Sequence, residues 1–124
     1  MNVIDSSAWI EYIAGTSYAD LFDTPIADQR SLIVPVITIY EIFRKILSER
    51  DEDAALAAVS QLRTGMVVDV DLAVSLEAAR YSKQHKLPIA DALIYATAQL
   101  HNATLWTMDQ HFKGLPGVKY FPKK

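Results

Sequence analysis

Apolar residues come in short continuous runs along this chain, and amphipathic stretches separate them. Val3-Ile4, Leu32 to Val34, Met66 to Val70, Thr104 to Thr107 and Val118 to Phe121 are the strand-like runs. Their apolar positions are continuous rather than alternating, which suits strands buried on both faces of a parallel sheet. Between them the pattern predicts helices. One runs over Ser7 to Ala14 and stops at Gly15, and a second runs over Ala19 to Asp28 around Pro25. A third starts with Thr38 as its cap and reaches about Arg50, and a fourth covers Asp51 to about Arg63, broken by Gly65. Asp71 caps a fifth that ends near Lys86, before Pro88, and the last runs from about Ile89 to His101 with Asn102 as a left-handed stop. A short helical turn follows Asp109. This alternation predicts an α/β three-layer fold, a five-stranded, mostly parallel sheet flanked by helices and joined by right-handed crossovers.

At 124 residues the chain is expected to form one domain, residues 1–124. Its 51% apolar content excludes disorder, because burial on that scale offsets conformational entropy. Twelve basic against fifteen acidic residues leave a net charge of −3, which argues against a generic DNA-coating protein. Cysteine is absent, so a disulfide framework, a Cys-based zinc site and a Cys nucleophile are excluded together. The start, Met-Asn-Val-Ile-Asp, has no basic region, and the longest apolar run, Leu32 to Tyr40, falls far short of the ~20 residues that span a bilayer. The expectation is a cytoplasmic protein with no membrane partner.

In open parallel sheets, ligands bind at the carboxyl ends of the strands. Four acidic residues fall there. Asp5 closes the first strand and could equally cap the helix behind it, although Ser6 or Ser7 could serve as cap instead. Glu41 sits in a first helical turn, where Thr38-Ile39-Tyr40-Glu41 also reads as a capping box on a solvated face, opposite Ile39, Phe43, Ile46 and Leu47. Asp91 opens a helix that is apolar almost all round, so its carboxylate needs a helix terminus, a cation or a metal. Asp109 follows the fourth strand and could cap a short turn. None is decisive alone. Together they would converge on one sheet edge, where two carboxylates about 4 Å apart repel by about 4 kcal/mol at an effective dielectric near 20. Such a cluster requires a counter-cation, and hard oxygen ligands select Mg²⁺ or Mn²⁺. With four glycines in the chain, no phosphate-cradling Gly-rich loop is present. His85 and His101 fall near helix C-termini, where a cationic ring suits the dipole.

Val3-Ile4-Asp5-Ser6-Ser7, Thr38-x-x-Glu41, Pro88-Ile89-Ala90-Asp91-Ala92-Leu93-Ile94 and Thr104-Leu105-Trp106-Thr107-Met108-Asp109 resemble, in that order, a PIN domain. In detail they resemble the VapC-type toxins of bacterial and archaeal toxin–antitoxin pairs, over nearly the whole chain. The resemblance implies a Mg²⁺- or Mn²⁺-dependent endoribonuclease with Asp5, Glu41, Asp91 and Asp109 as catalytic and metal-binding residues. It implies that Ser6 and Thr107 orient those carboxylates or water, and it shifts the reading of Glu41 towards function. It further implies an RNA substrate, a cognate antitoxin and a homodimer. Many relatives carry another Asp two residues beyond the position of Asp109; here that residue is His111.

Two other readings compete. A phosphatase of the haloacid-dehalogenase type would use Asp5 as nucleophile, but it usually has a second Asp where this chain has Ser7. A non-catalytic binding module could share the scaffold. Trp9, Ile10, Ile13, Leu21 and Phe22 supply core or a groove for an antitoxin segment and a dimer contact. Tyr12, Tyr40 and Tyr95 are candidates for stacking on RNA bases, with core packing as the alternative.

Overall fold

The computed structural model describes residues 1–124. The chain begins with β1 (Asn2–Ile4) and α1 (Ser6–Ala14), then a 3₁₀ turn at Ala19–Phe22 and α2 (Asp23–Ala27). Next come β2 (Leu32–Pro35), α3 (Val36–Glu49), α4 (Glu52–Leu62) and β3 (Met66–Val68). The second half holds α5 (Leu72–His85), α6 (Ile89–Leu100), β4 (Thr104–Thr107), a 3₁₀ turn at Gln110–Phe112 and β5 (Val118–Tyr120). The strands form one sheet in the order β3-β2-β1-β4-β5, and every neighbouring pair is parallel. The expected α/β sheet is therefore present, and it is wholly rather than mostly parallel.

The strand pleat divides the interior into two cores. Val3, Ile33 and Leu105 point to one face, where they meet Val74 and Ala78 of α5 and Ala92 and Tyr95 of α6. Ile4, Leu32 and Val34 point to the other, against Ala8 and Trp9 of α1, Ile42 and Ile46 of α3, and Leu62 of α4. Continuous apolar runs thus bury both faces, as a parallel sheet between two helical layers requires. Helix ends use ordinary chemistry. Asp51 and Asp71 accept from Ala54 N and Val74 N at 2.8 and 2.9 Å. Lys86 and Asn102 turn the chain with positive φ after α5 and α6.

Several expectations need correction. α3 starts at Val36, directly after Pro35, so Thr38 is not its cap; Thr38 is fully buried and its hydroxyl has no partner. The buried face of α3 follows Thr38, Ile42 and Ile46, rotated from the Ile39, Phe43, Ile46 and Leu47 stripe read from the sequence. The helix expected over Ala19 to Asp28 is a 3₁₀ turn followed by a five-residue helix. β3 ends at Val68 and is an edge strand with Met66 and Val67 exposed, so it is not buried on both faces. Tyr95 is core: it is 1% exposed and donates to Pro116 O at 2.8 Å, which removes it as a base-stacking residue. No helix is long and apolar enough to cross a membrane.

Gly65 shows how tightly β3 is seated. A Cβ there would lie 2.9 Å from both the Cγ and the carbonyl oxygen of Leu32. Gly65→Ala is expected to lower stability by about 1–3 kcal/mol through overpacking against the β2 backbone. Denaturant unfolding of the two proteins measures this, and an unchanged midpoint would contradict the close approach.

Candidate metal centre

The strand order reverses at β1, which has β2 on one side and β4 on the other. Such a switch point opens a crevice outside the carboxyl ends of the strands. Asp5 follows β1 there, and its N–H continues the ladder by donating to Trp106 O at 2.9 Å. Asp109 follows β4 two residues beyond its last member. Asp91 enters from the first turn of α6 and Glu41 from the second turn of α3.

Asp5 is only 2% exposed, and its Oδ2 is held by neutral donors. Ser7 Oγ donates to it at 2.7 Å and Thr107 Oγ1 at 2.9 Å. The Ser7 N–H approaches the same oxygen at 3.4 Å, so Asp5 does cap α1, but weakly. Each hydroxyl also acts as an acceptor. Ser7 Oγ accepts from Met108 N at 3.1 Å, and Thr107 Oγ1 accepts from Asp109 N at 2.9 Å. Two hydroxyls therefore tie the end of β1 to the segment that carries Asp109. Ser6 Oγ donates to Glu41 Oε1 at 2.6 Å, which fixes α3 to α1 at the crevice. That bond replaces the capping box expected for Glu41. Ser6 and Thr107 thus each donate to one of the four carboxylates.

The carboxylates act on one another through space. Burial raises the Asp5 carboxyl above its ordinary range against the opposing pull of Ser7 and Thr107, and Asp109 raises it further. Burial also raises Glu41, with Asp5 and Asp109 adding to the rise. Asp91 is pushed up to about 7, first by burial, then by the charges of Asp109, Asp5 and, more weakly, Glu41. Four carboxyl groups thus share one poorly screened crevice.

Sequence reasoning missed two members of the site. Ser7 reads as one more helix-start serine, and only the fold brings its hydroxyl under Met108. His111 has no role in the sequence reading beyond standing where many relatives carry a further Asp, yet its Nδ1 lies 3.0 Å from Asp91 Oδ2 and 3.0 Å from Asp109 Oδ1. Those two carboxylates raise its proton affinity, Asp109 most. One ligand atom from each of Asp91, Asp109 and His111 lies within 4.8 Å of the others. The one sequence signal for His111 is its place two residues after Asp109.

The residues fit a divalent cation. Oxygen donors dominate, which suits Mg²⁺ and Mn²⁺. The raised proton affinities of Asp5, Glu41 and Asp91 are the electrostatic mark of a crevice short of positive charge.

Solved structures share this architecture. A toxin–antitoxin complex from Klebsiella pneumoniae is 24% identical with a TM-score of 0.82, and the match covers 99% of this chain and 100% of that one. VapC20 of Mycobacterium tuberculosis, a sarcin–ricin loop cleaving toxin, is 16% identical with a TM-score of 0.79, covering 98% and 100%. FitAcB from Neisseria gonorrhoeae is 20% identical with a TM-score of 0.74, covering 98% of each chain. No curated protein matches by sequence. The PIN domain family model matches residues 3–118, from the first strand through the last, and the chain belongs to the PIN domain family.

Proposed function

We propose that this protein is a divalent-metal-dependent endoribonuclease and the toxin of a toxin–antitoxin pair. The carrying observation is the mutual charge effect of Asp5, Glu41, Asp91 and Asp109 at the switch point of the sheet. The likeness to VapC20, a sarcin–ricin loop cleaving toxin, supports RNA as substrate. The likeness to a Klebsiella pneumoniae toxin–antitoxin complex supports an antitoxin partner. The cytoplasm is where such a toxin meets RNA. A homodimer is part of the same reading; of the residues the sequence offers for its contact, Trp9 and Phe22 are fully buried core, whereas Leu72 and Ile89 at the starts of α5 and α6 are 75% and 80% exposed.

Asp5, Asp91 and Asp109 would hold Mg²⁺ or Mn²⁺, with Glu41 direct or through water. When bound, the ion supplies Lewis-acid polarisation of a phosphate oxygen and lowers the pKa of water. The side chains do the rest. Ser7 and Thr107 fix the buried Asp5 so that its free oxygen keeps one orientation. Ser6 holds Glu41 at the crevice with a proton affinity above that of a free glutamate, which suits a group that accepts a proton from the attacking water. The rival reading, with Asp5 as phosphoryl nucleophile, is disfavoured by its burial and by the two hydroxyls that occupy Oδ2.

Asp91→Asn is expected to fold and to lose RNA cleavage, and EDTA is expected to abolish cleavage by the wild-type protein. A gel assay on total RNA tests both, and a folded Asp91→Asn protein with full activity would sink the assignment. Ser6→Ala should keep the fold and lower the cleavage rate roughly 10–100-fold, the usual effect of removing a group that orients a metal-site ligand.

The site also sets a pH dependence. Asp5, Glu41, Asp91 and His111 all bind protons more tightly in the folded protein. Groups of this kind stabilise the fold below their unfolded pKa and withdraw that stability as pH rises through the folded value. For Asp91 the window runs from 3.8 to about 7. The metal-free protein should therefore melt at a higher temperature at about pH 5.5 than at about pH 7.5. The gap should narrow with saturating Mn²⁺ and in Asp91→Asn. Thermal melts in both buffers measure it; a gap of the same size in Asp91→Asn would rule out this origin.

A further inference from the structure

We propose that His111 is a nitrogen ligand of the metal centre and that it tilts the site from Mg²⁺ towards Mn²⁺. This rests on the metal reading given above and specifies its ligand set. The placement of His111 is a consequence of local structure. Asp109 caps the 3₁₀ turn by accepting from His111 N at 2.9 Å, and the fully buried Phe112 anchors the turn from the other side. The imidazole is thereby held over the crevice while its side chain stays 54% exposed.

The Nδ1 atom points inward. It lies 3.0 Å from a carboxylate oxygen of Asp91 and 3.0 Å from one of Asp109, residues that come from separate elements of the fold. Adjacent vertices of an octahedron with bonds of about 2.1 Å are themselves about 3.0 Å apart. Two separations of 3.0 Å, with all three donor atoms within 4.8 Å of one another, suit corners of one coordination sphere. Without an ion, the imidazole is the nearest group that can carry positive charge between Asp91 and Asp109; these two form close ion pairs with no other cation. With an ion bound, the inward nitrogen presents a lone pair to it.

The chemical consequence is selectivity. Mg²⁺ is a hard ion that favours oxygen ligands and holds its water tightly. Mn²⁺ is the weakest nitrogen binder of the first-row divalent ions, yet as a transition ion it accepts an imidazole more readily than the harder Mg²⁺ does. An all-oxygen crevice would favour Mn²⁺ less than this mixed one does.

Mn²⁺ and Mg²⁺ titrations of the full chain, by calorimetry, with pulsed EPR of the bound Mn²⁺, test the proposal without reference to activity. Wild-type Mn²⁺ should show coupling to a ¹⁴N nucleus. In His111→Asp, which keeps an oxygen donor and leaves the backbone cap intact, that coupling should vanish. The preference for Mn²⁺ over Mg²⁺ should fall on the order of tenfold, at the low end of what a lost metal-site partner costs. Mn²⁺ bound without nitrogen coupling, coupling that persists in His111→Asp, or an unchanged preference would each overturn the role of His111 while leaving the metal centre standing. Failure of wild-type protein to bind Mn²⁺ at all would overturn the metal centre as well.

Discussion

Burying the carboxylate of Asp5 at the end of the central strand costs free energy, and the arrangement around it exists to meet that cost. Ser7 and Thr107 donate to the same oxygen, one from the start of α1 and the other from the end of β4. Each hydroxyl then accepts a backbone N–H from the segment that leads into Asp109. Neutral donors lower the penalty without supplying positive charge, so Asp5 keeps a raised proton affinity. Every further acidic group that enters the crevice increases the deficit. The four carboxylates are best understood as one electrostatic unit.

The sheet makes that unit possible. An all-parallel order of β3-β2-β1-β4-β5 sends every strand's carboxyl end to the same edge. It also places the switch point next to β1, so residues from both halves of the chain meet there. Asp5 and Thr107 are 102 positions apart in sequence yet within hydrogen-bond reach. Two cores hold the strands rigidly, with Trp9 and Ile42 behind one face and Tyr95 and Leu105 behind the other. A site that depends on contacts of about 3 Å needs such a frame, because small displacements would break them.

Charge acquires a different meaning in this setting. The net −3 weighs against indiscriminate binding of nucleic acid when it is spread over the whole molecule. Setting aside Asp5, Glu41, Asp91 and Asp109 leaves twelve basic residues against eleven acidic ones. The acidity is concentrated in the crevice, and the rest of the surface is close to neutral. A divalent cation in the crevice would turn the most acidic place on the protein into one that accepts phosphate.

The layer architecture is legible in the order of residues alone. Short continuous apolar runs suit strands buried on two faces, and the stops at Gly15, before Pro88 and at Asn102 follow from local backbone preferences that need no distant partner. Asp91 stands out most, because a carboxylate on a helix that is apolar almost all round needs a partner, whereas Asp5 and Asp109 could each cap a helix and gain meaning only as members of a group. Glu41 is ambiguous for a physical reason. The helix that carries it begins two residues earlier than Thr38, and the buried face of α3 is rotated, facts set by how α3 packs on β2 and α1. Ser7 and His111 are out of reach for the same reason. A hydroxyl or an imidazole becomes part of a site only through the partner it meets, and here those partners are Met108 N, 101 residues from Ser7, and Asp91, on a different element from His111. Local patterning fixes where the chain is helix or strand, whereas the long-range packing of α1, α3 and α6 around the switch point selects which polar atoms come within 3 Å of one another.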